Sequence, residues 1–284
     1  MSKSTQESYN KAKKLVTFFS LPFDGLIEYH GLENVINQGS NLIIANHPGV
    51  GKDIGGLLKA YDRQLCFTAS DFLFEKEILL NKAKEYLGPK KYHLLEPLAN
   101  YLAGFLSKKM NEFDMIPIPW EYNGNYRELA HNLRKSVDRT KDYLREGKAA
   151  VFLQIEHSIL TENGTDNNKE RDKSAYHDYL HKFNNTVSKI ANELQKEGIV
   201  VPITPIAFFG GTTLNPFERM KMSIGKPVYI DDYIYGNTNP GNNSIVPGLT
   251  DILEQKVAEM LIEMGIPRNV NSLDKKTRRR LMKK

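Results

Sequence analysis

The sequence has one cysteine, Cys66, among its 284 residues, so no disulfide can form within the chain. No stretch approaches the roughly 20 consecutive apolar residues that a membrane-spanning helix requires. The longest apolar stretch, residues 199–209, contains Thr204 and two prolines, which is typical of a core strand. The polar N-terminus does not have the pattern of a signal peptide. These features predict a protein of a reducing, cytoplasmic compartment.

Motifs of several common enzyme classes are missing. The chain has no G-x-S-x-G, which argues against a serine hydrolase. Gly49-Val50-Gly51 does not continue into a dinucleotide fingerprint, because Ile54 stands at the position of the third glycine. Asp53 stands where a P-loop would have Ser or Thr. We therefore expect no nucleotide cofactor.

Three histidines form the only metal-site hypothesis that the sequence offers, and they are His157, His177 and His181. The last two lie four residues apart, which is a spacing that puts both on one face of a helix. No glutamate follows His177, so the zinc-protease pattern is not met. We expect no metal, and a metal-dependent hydrolase stays an alternative.

Positive charge is concentrated at the C-terminus. The formal net charge is +5, and residues 275–284 are mostly Lys or Arg with no acid, so the rest of the chain is slightly acidic. No basic face with interleaved aromatic residues accompanies this tail, which predicts no nucleic-acid partner. Anionic lipid is the partner that the tail favours, although such tails are often only solvated.

Residues 5–20 have apolar side chains at helical spacing with lysines between them. This pattern fits either docking on the sheet or a helix that lies in a membrane interface. Together with the basic tail it predicts three parts: an amphipathic membrane-associating helix over 1–24, an α/β domain over 25–268, and a basic tail over 269–284. We therefore expect peripheral attachment to the inner face of a membrane.

Between these ends, short apolar runs alternate with longer segments of helical periodicity. The predicted strands cover 42–45, 64–69, 115–118, 149–155, 200–209 and 220–229, and the predicted helices cover 54–61, 72–106, 126–146, 175–196 and 245–264. Alternating strands and helices predict an α/β fold with a single, largely parallel sheet flanked by helices.

The stretch 41–53 contains the strongest candidate for catalysis. The apolar run Leu42–Ala45 predicts a buried strand, and Pro48 and the two following glycines end it directly after His47. Asp53 is a suitable N-cap for the next helix. His47 is therefore predicted at the carboxyl end of a strand, where open α/β sheets bind ligands. A histidine oriented by a carboxylate is a general base.

Asn46-His47 followed by Asp53 resembles the Asn-His-x4-Asp motif of the glycerolipid acyltransferase superfamily, the 1-acylglycerol-3-phosphate acyltransferases and their relatives. Three other segments are similar to motifs of that family in the same order, over roughly residues 15–265. They are Gly31-Leu32-Glu33-Asn34, Val201-Pro202-Ile203 and Ile224-Gly225-Lys226-Pro227-Val228. The resemblance implies an acyltransferase-like α/β fold, with His47 as the base and Asp53 as the residue that orients it.

The chain also departs from the family pattern. Five residues rather than four separate His47 from Asp53, and we expect Gly49 and Gly51 to supply the irregular backbone that brings them together. In the stretch that aligns with Phe-Pro-Glu-Gly-Thr-Arg-Ser, only Phe152 and Ser158 match. The stretch corresponding to the second family motif, residues 115–120, has no Arg.

The resemblance implies an acyltransferase that moves a fatty acyl group from acyl-CoA or acyl carrier protein to a hydroxyl of a lyso-phospholipid or related lipid. Because Gln154 stands at the family's Glu position and the Arg is absent, we expect a phosphate monoester to be a poor acceptor. The implied substrate-binding residues are Asn46, Gly49, Gly51, Lys52, Gln154, Glu156, His157, Ser158 and Pro202. A non-catalytic lipid-binding relative of the family stays an alternative.

Overall fold

The computed structural model describes residues 10, 26–47, 52–112, 115–119, 126–154, 180, 182–210, 219–236 and 245–265. In these residues seven strands form one sheet: β1 (Ile27–His30), β2 (Asn41–Asn46), β3 (Leu65–Ser70), β4 (Ile116–Ile118), β5 (Ala149–Gln154), β6 (Ile203–Gly210) and β7 (Met220–Ile224). Their order across the sheet is β1-β7-β6-β2-β5-β3-β4. The pair β6–β7 is antiparallel and the other neighbouring pairs are parallel. The predicted α/β fold with a largely parallel sheet is confirmed.

Six helices accompany the sheet in the described ranges: α1 (Lys52–Ala60), α2 (Lys76–Glu112), α3 (Tyr126–Arg145), α4 (Thr186–Lys196), α5 (Ile230–Gly236) and α6 (Ile245–Glu263). Short 3-10 turns occupy Leu32–Asn34 and Asp71–Phe74. Gly88 has a φ of 73° inside α2, so this long helix consists of two helical segments joined at that residue. Pro97 lies within the second segment.

Several boundaries differ from those predicted, among them the end of α2, which is Glu112 rather than residue 106. The strand predicted to extend to residue 229 ends at Ile224, since Gly225 and Pro227 follow, and Val228 forms only an isolated bridge with Ile203. The helix predicted from residue 175 begins at Thr186 in the described chain. Strand β1 and helix α5 were not predicted, because both are short and lack a strong apolar period.

The core lies on both faces of the sheet. All six residues of β2 are buried, as expected for a central parallel strand that is covered on both sides. Leu42 and Ile44 pack with residues of α3, α4 and α6 on one face. Ile43 and Ala45 pack with residues of α1 and β7 on the other. The alternation of β2 side chains between two apolar layers fixes the register of this strand.

The helices that follow the neighbouring strands β2 and β5 lie on opposite faces of the sheet, α1 on one and α4 on the other. Where successive helices diverge in this way, a crevice forms outside the carboxyl ends of the two strands. Asn46 and Gln154, the last residues of β2 and β5, are register partners at this point. The fold thus places the residue after Asn46 at the position where α/β sheets bind ligands.

None of the helices in the described residues combines the length and the apolar character needed to cross a bilayer. Apart from residue 10, residues 1–24 lie outside the described chain, and so do residues 266–284. The predicted N-terminal amphipathic helix and the basic tail are therefore not described, and their roles stay predictions.

Candidate active site

His47 lies directly after β2, at the carboxyl edge of the sheet. Its Nδ1 bonds to Oδ2 of Asp53 on α1. The His47 side chain is 19% exposed, whereas that of Asp53 is 2% exposed. The imidazole is therefore accessible from the crevice while its carboxylate partner is shielded from water. The structure brings the two residues together as the sequence predicts.

Asp53 lies at the start of α1, where its buried carboxylate has hydrogen-bond partners. Asp53 is the second residue of α1, which begins two residues earlier than residue 54, the start that Asp53 as N-cap predicts. Its Oδ1 accepts a hydrogen bond of 2.9 Å from the backbone N–H of Ile54. The N-terminus of a helix carries partial positive charge, which stabilises a carboxylate there. Both oxygens of Asp53 are thus engaged, and Oδ2 is held on the imidazole.

This pairing assigns different tasks to the two imidazole nitrogens. When Nδ1–H donates to the Asp53 carboxylate, Nε2 carries the lone pair. A lone pair on Nε2 can accept a proton from a hydroxyl, and the buried carboxylate then stabilises the imidazolium that forms. The arrangement is that of a general base with an orienting partner. It requires no nucleophilic side chain.

Asn46 holds the end of β2 in place. Its Nδ2 donates to the carbonyl of Phe208 at 2.9 Å, and its Oδ1 accepts from the N–H of Phe208 at 2.8 Å. The side chain therefore continues the β2–β6 ladder beyond Ile206, the last residue of β6 that pairs with β2. Because Asn46 immediately precedes His47, these two hydrogen bonds fix the position of the backbone from which the imidazole extends. Sequence reasoning assigned Asn46 to substrate binding, and its described bonds are to backbone.

The other predicted substrate-binding residues are placed differently. Lys52 is the first residue of α1 and so lies next to Asp53 in the chain, while the backbone of Gln154 ends β5 beside Asn46. Pro202 precedes β6, and its carbonyl accepts from the N–H of Leu42 at 2.9 Å. Pro202 is therefore at the amino edge of the sheet, about 17 Å from His47 at 3.3 Å per strand residue. The structure does not bring it to the crevice.

Several predicted residues lie outside the described chain: Gly49, Gly51, Glu156, His157 and Ser158. His177 and His181 of the metal hypothesis also lie outside it. Among the residues that are described, no group of three or more His, Cys, Asp or Glu side chains is arranged to hold a metal ion.

Two of the resemblance segments contact each other rather than the crevice. Gly31, with a φ of 72°, approaches the carbonyl oxygen of Ile224 so closely that a Cβ there would lie 2.1 Å from it. Asn34 donates from Nδ2 to the same carbonyl at 2.9 Å. These residues connect the end of β1 to the end of β7. The segments 31–34 and 224–228 therefore build the sheet, whereas the segment from Asn46 to Asp53 brings together the His47–Asp53 pair.

Sequence reasoning missed one large feature near this edge, a cavity of about 730 Å³ over β4 and β5. Its apolar lining includes Ile116, Ile118, Leu133, Val137 and Phe152. Phe152 lies two residues before the end of β5, so the cavity is on the α3–α4 face of the sheet. Residues from four separate segments of the chain line it, so no single sequence motif could reveal it.

Comparison with known proteins supports the fold assignment. Neither a protein-family model nor a curated protein sequence matches the chain. Its structure is similar to the crystal structure of the 1-acyl-sn-glycerophosphate (LPA) acyltransferase PlsC from Thermotoga maritima, with a TM-score of 0.51 and 15% identity. The match covers 94% of this chain and 85% of that one. The chain has the fold of this acyltransferase. The fold implied by the sequence resemblance is therefore confirmed, over nearly the whole chain.

Proposed function

We propose that this protein is an O-acyltransferase of lipid metabolism that works at a membrane surface. The observation that carries the proposal is the His47–Asp53 pair, held at the carboxyl edge of a sheet with an acyltransferase fold. The acyl donor is a thioester, acyl-CoA or acyl carrier protein, and the acceptor is the hydroxyl of a lyso-phospholipid or related lipid. No cofactor is required.

In this mechanism, Nε2 of His47 removes the hydroxyl proton as the acceptor oxygen attacks the thioester carbonyl. The tetrahedral intermediate collapses, the C–S bond breaks, and the imidazolium returns its proton to the leaving thiolate. Asp53 keeps Nδ1 protonated and stabilises the imidazolium during the step. The products are the ester and a free thiol, so the acyl group passes directly from donor to acceptor.

The test measures thiol release from acyl-CoA or acyl carrier protein with purified variants. We expect His47→Ala to lower turnover by about 100-fold or more, since general base catalysis typically contributes 10²–10⁴-fold. Asp53→Asn should lower it by about tenfold or more, because the amide N–H of Asn can donate to Nδ1 and favour the tautomer that has its proton on Nε2.

His30→Ala is the matched control. His30 also ends a parallel strand and pairs with a carboxylate, Glu28, at 2.8 Å, but both side chains are about half exposed. Its loss should leave turnover unchanged. Near-native turnover in folded His47→Ala would refute the mechanism, and so would a His30→Ala defect of equal size.

The acceptor is tested in the same assay. The T. maritima enzyme is named for 1-acyl-sn-glycerophosphate, whereas this chain has Gln154 at the family's Glu position and no Arg in residues 115–120. We therefore expect slower turnover with lysophosphatidic acid than with a neutral or zwitterionic lyso-lipid. Efficient, saturable use of lysophosphatidic acid would contradict this expectation and would make Lys52 the first candidate for a phosphate ligand.

A further inference from the structure

Helix α2 carries a continuous row of exposed apolar side chains on its second segment. We call this row the α2 stripe, and it consists of Leu94, Leu95, Leu98, Tyr101, Leu102 and Phe105. Their spacing of three and four residues puts them on one side of the helix. Leu94 is 82% exposed and Tyr101 is 69% exposed. Tyr92 and Ala103, which are buried, lie on the opposite side of the same segment.

A stripe of this size requires an explanation. Single exposed apolar residues are ordinary, but contiguous apolar patches on soluble proteins mark interaction surfaces. The rings of Tyr101 and Phe105 stack on each other with centroids 6.4 Å apart, so the aromatic part of the stripe forms one continuous surface. Six large side chains in one row therefore have the character of an interaction surface.

The stripe belongs to the edge of the sheet that holds His47. The 3-10 turn Asp71–Phe74 leaves the carboxyl end of β3, and α2 begins directly after it at Lys76. The second segment returns to this point, because a Cβ on Gly104 would lie 3.8 Å from the side chain of Lys76. One strand, β5, separates β3 from β2. The stripe and the candidate active site thus share the carboxyl edge.

Charge identifies the partner. Residues 89–112 contain four lysines and two glutamates, and exposed Lys91 lies one turn before Leu94 and Leu95. Two other segments of the same chain, 1–24 and 269–284, are also net basic, and a second copy of the chain would bring α2 against α2. The two terminal segments and the α2 of a second copy all carry the same sign of charge as α2. An anionic bilayer carries the opposite sign.

We propose that the α2 stripe docks on the surface of an anionic lipid bilayer and brings the carboxyl edge of the sheet to the membrane. Leucines and aromatic rings on one helix face with lysines beside them are the features of an interfacial helix. Tyr101 fits the boundary between acyl chains and head groups, where amphipathic rings accumulate. This inference rests on the proposed function, because a lipid acceptor has to reach His47 from the bilayer.

The test uses the full-length chain and vesicles of phosphatidylcholine with phosphatidylglycerol. The stripe variant is Leu98→Ser, Tyr101→Ser and Leu102→Ser together, and the matched control is Leu32→Ser, Val200→Ser and Tyr229→Ser. The control residues are exposed apolar side chains on other elements. We expect the stripe variant to lose about tenfold or more of vesicle partitioning, and the control to lose little.

Turnover separates this inference from the proposed function. With an acceptor presented in vesicles, the stripe variant should lose turnover in proportion to its binding, while turnover with a water-soluble short-chain acceptor stays unchanged. If neither variant nor wild type transfers acyl groups, the proposed function fails and the vesicle result still decides the docking surface.

Three results would overturn the docking proposal. The first is equal vesicle binding by wild type and the stripe variant. The second is a change of oligomeric state in the stripe variant on analytical ultracentrifugation, which would assign the stripe to a second copy. The third is a large fall of the melting temperature in the stripe variant alone, which would mean that the chain itself covers the stripe.

Discussion

Gly31 and Gly39 offer a paired substitution that separates backbone strain from steric contact. Both have a positive φ, 72° and 73°. A Cβ on Gly31 would lie 2.1 Å from the Ile224 carbonyl oxygen, whereas a Cβ on Gly39 would meet nothing within 4 Å. Replacing each by Ala adds the same methyl group at nearly the same φ. The difference between the two variants therefore measures the contact between Gly31 and β7.

The expected sizes follow from this geometry. A left-handed conformation costs a non-glycine residue roughly 1–2 kcal/mol, partly offset by about 0.4–1 kcal/mol from the less flexible unfolded chain. Gly39→Ala should therefore lower the free energy of unfolding by about 1 kcal/mol or less. Gly31→Ala adds a contact that forces the Ile224 carbonyl to move, and overpacking of this kind costs about 1–3 kcal/mol more. Asn34 then also loses the acceptor of its 2.9 Å hydrogen bond.

Urea denaturation followed by circular dichroism measures both values. We expect Gly31→Ala to be less stable than Gly39→Ala by about 2 kcal/mol, which corresponds to roughly 4–8 °C in melting temperature for a chain of this size class. Turnover per folded molecule should be unchanged in both variants, since neither residue contacts the His47–Asp53 pair. Stabilities that agree within about 0.5 kcal/mol would refute the close contact, and a selective loss of turnover would refute its purely structural role.

Two further predictions concern other described contacts. Asn46→Asp keeps the acceptor for the Phe208 N–H but sets a carboxylate against the Phe208 carbonyl. Thermal unfolding should therefore show a loss of about 1–3 kcal/mol in the free energy of unfolding, together with reduced turnover. Unchanged stability and turnover would argue that the two Asn46–Phe208 bonds do not hold His47 in place. Lys141 on α3 bonds Glu193 on α4 at 2.8 Å, and this bond raises the pKa of Lys141, so its stabilisation is fully present below the ordinary lysine pKa and is lost as pH rises through the raised value. Lys141→Met should therefore cost about 1 kcal/mol of unfolding free energy equally at pH 7 and pH 9, while the exposed control Lys189→Met should cost little. A cost of Lys141→Met that disappears by pH 9 would contradict this assignment.

The contact between His47 and Asp53 could be predicted because its determinants are local. An apolar run ended by Pro48 and two glycines predicts both the end of β2 and the position of His47 at that end. Helix α1 begins within a few residues of the end of β2, so Asp53 is close to His47 in the sequence. The contact of His47 with Asp53 could therefore be predicted from the thirteen consecutive residues 41–53.

Pro202 and Asn46 show where a sequence motif stops being informative. Val201-Pro202-Ile203 predicts a strand correctly, but the end of the sheet at which a residue lies depends on strand direction and register. Strand direction and register are set by packing across β2, and no local sequence pattern contains that information. The two bonds of Asn46 to Phe208 join residues 162 positions apart, and an amide next to His47 in the sequence gives no sign of such a partner.

The contact between His47 and Asp53 depends on where α1 begins rather than on the number of residues that separate the two side chains. On a regular helix, residues six positions apart point about 240° away from each other and cannot bond. In the described residues α1 begins at Lys52, so His47, which follows β2, and Asp53, in the first helical turn, do not lie on one helix. What the pair requires is a carboxylate in that first turn, where the helix N-terminus and the Ile54 N–H support its charge. A connection one residue longer than the family pattern is therefore compatible with the same base and the same orienting carboxylate, which is why the departure in spacing does not count against acyl transfer.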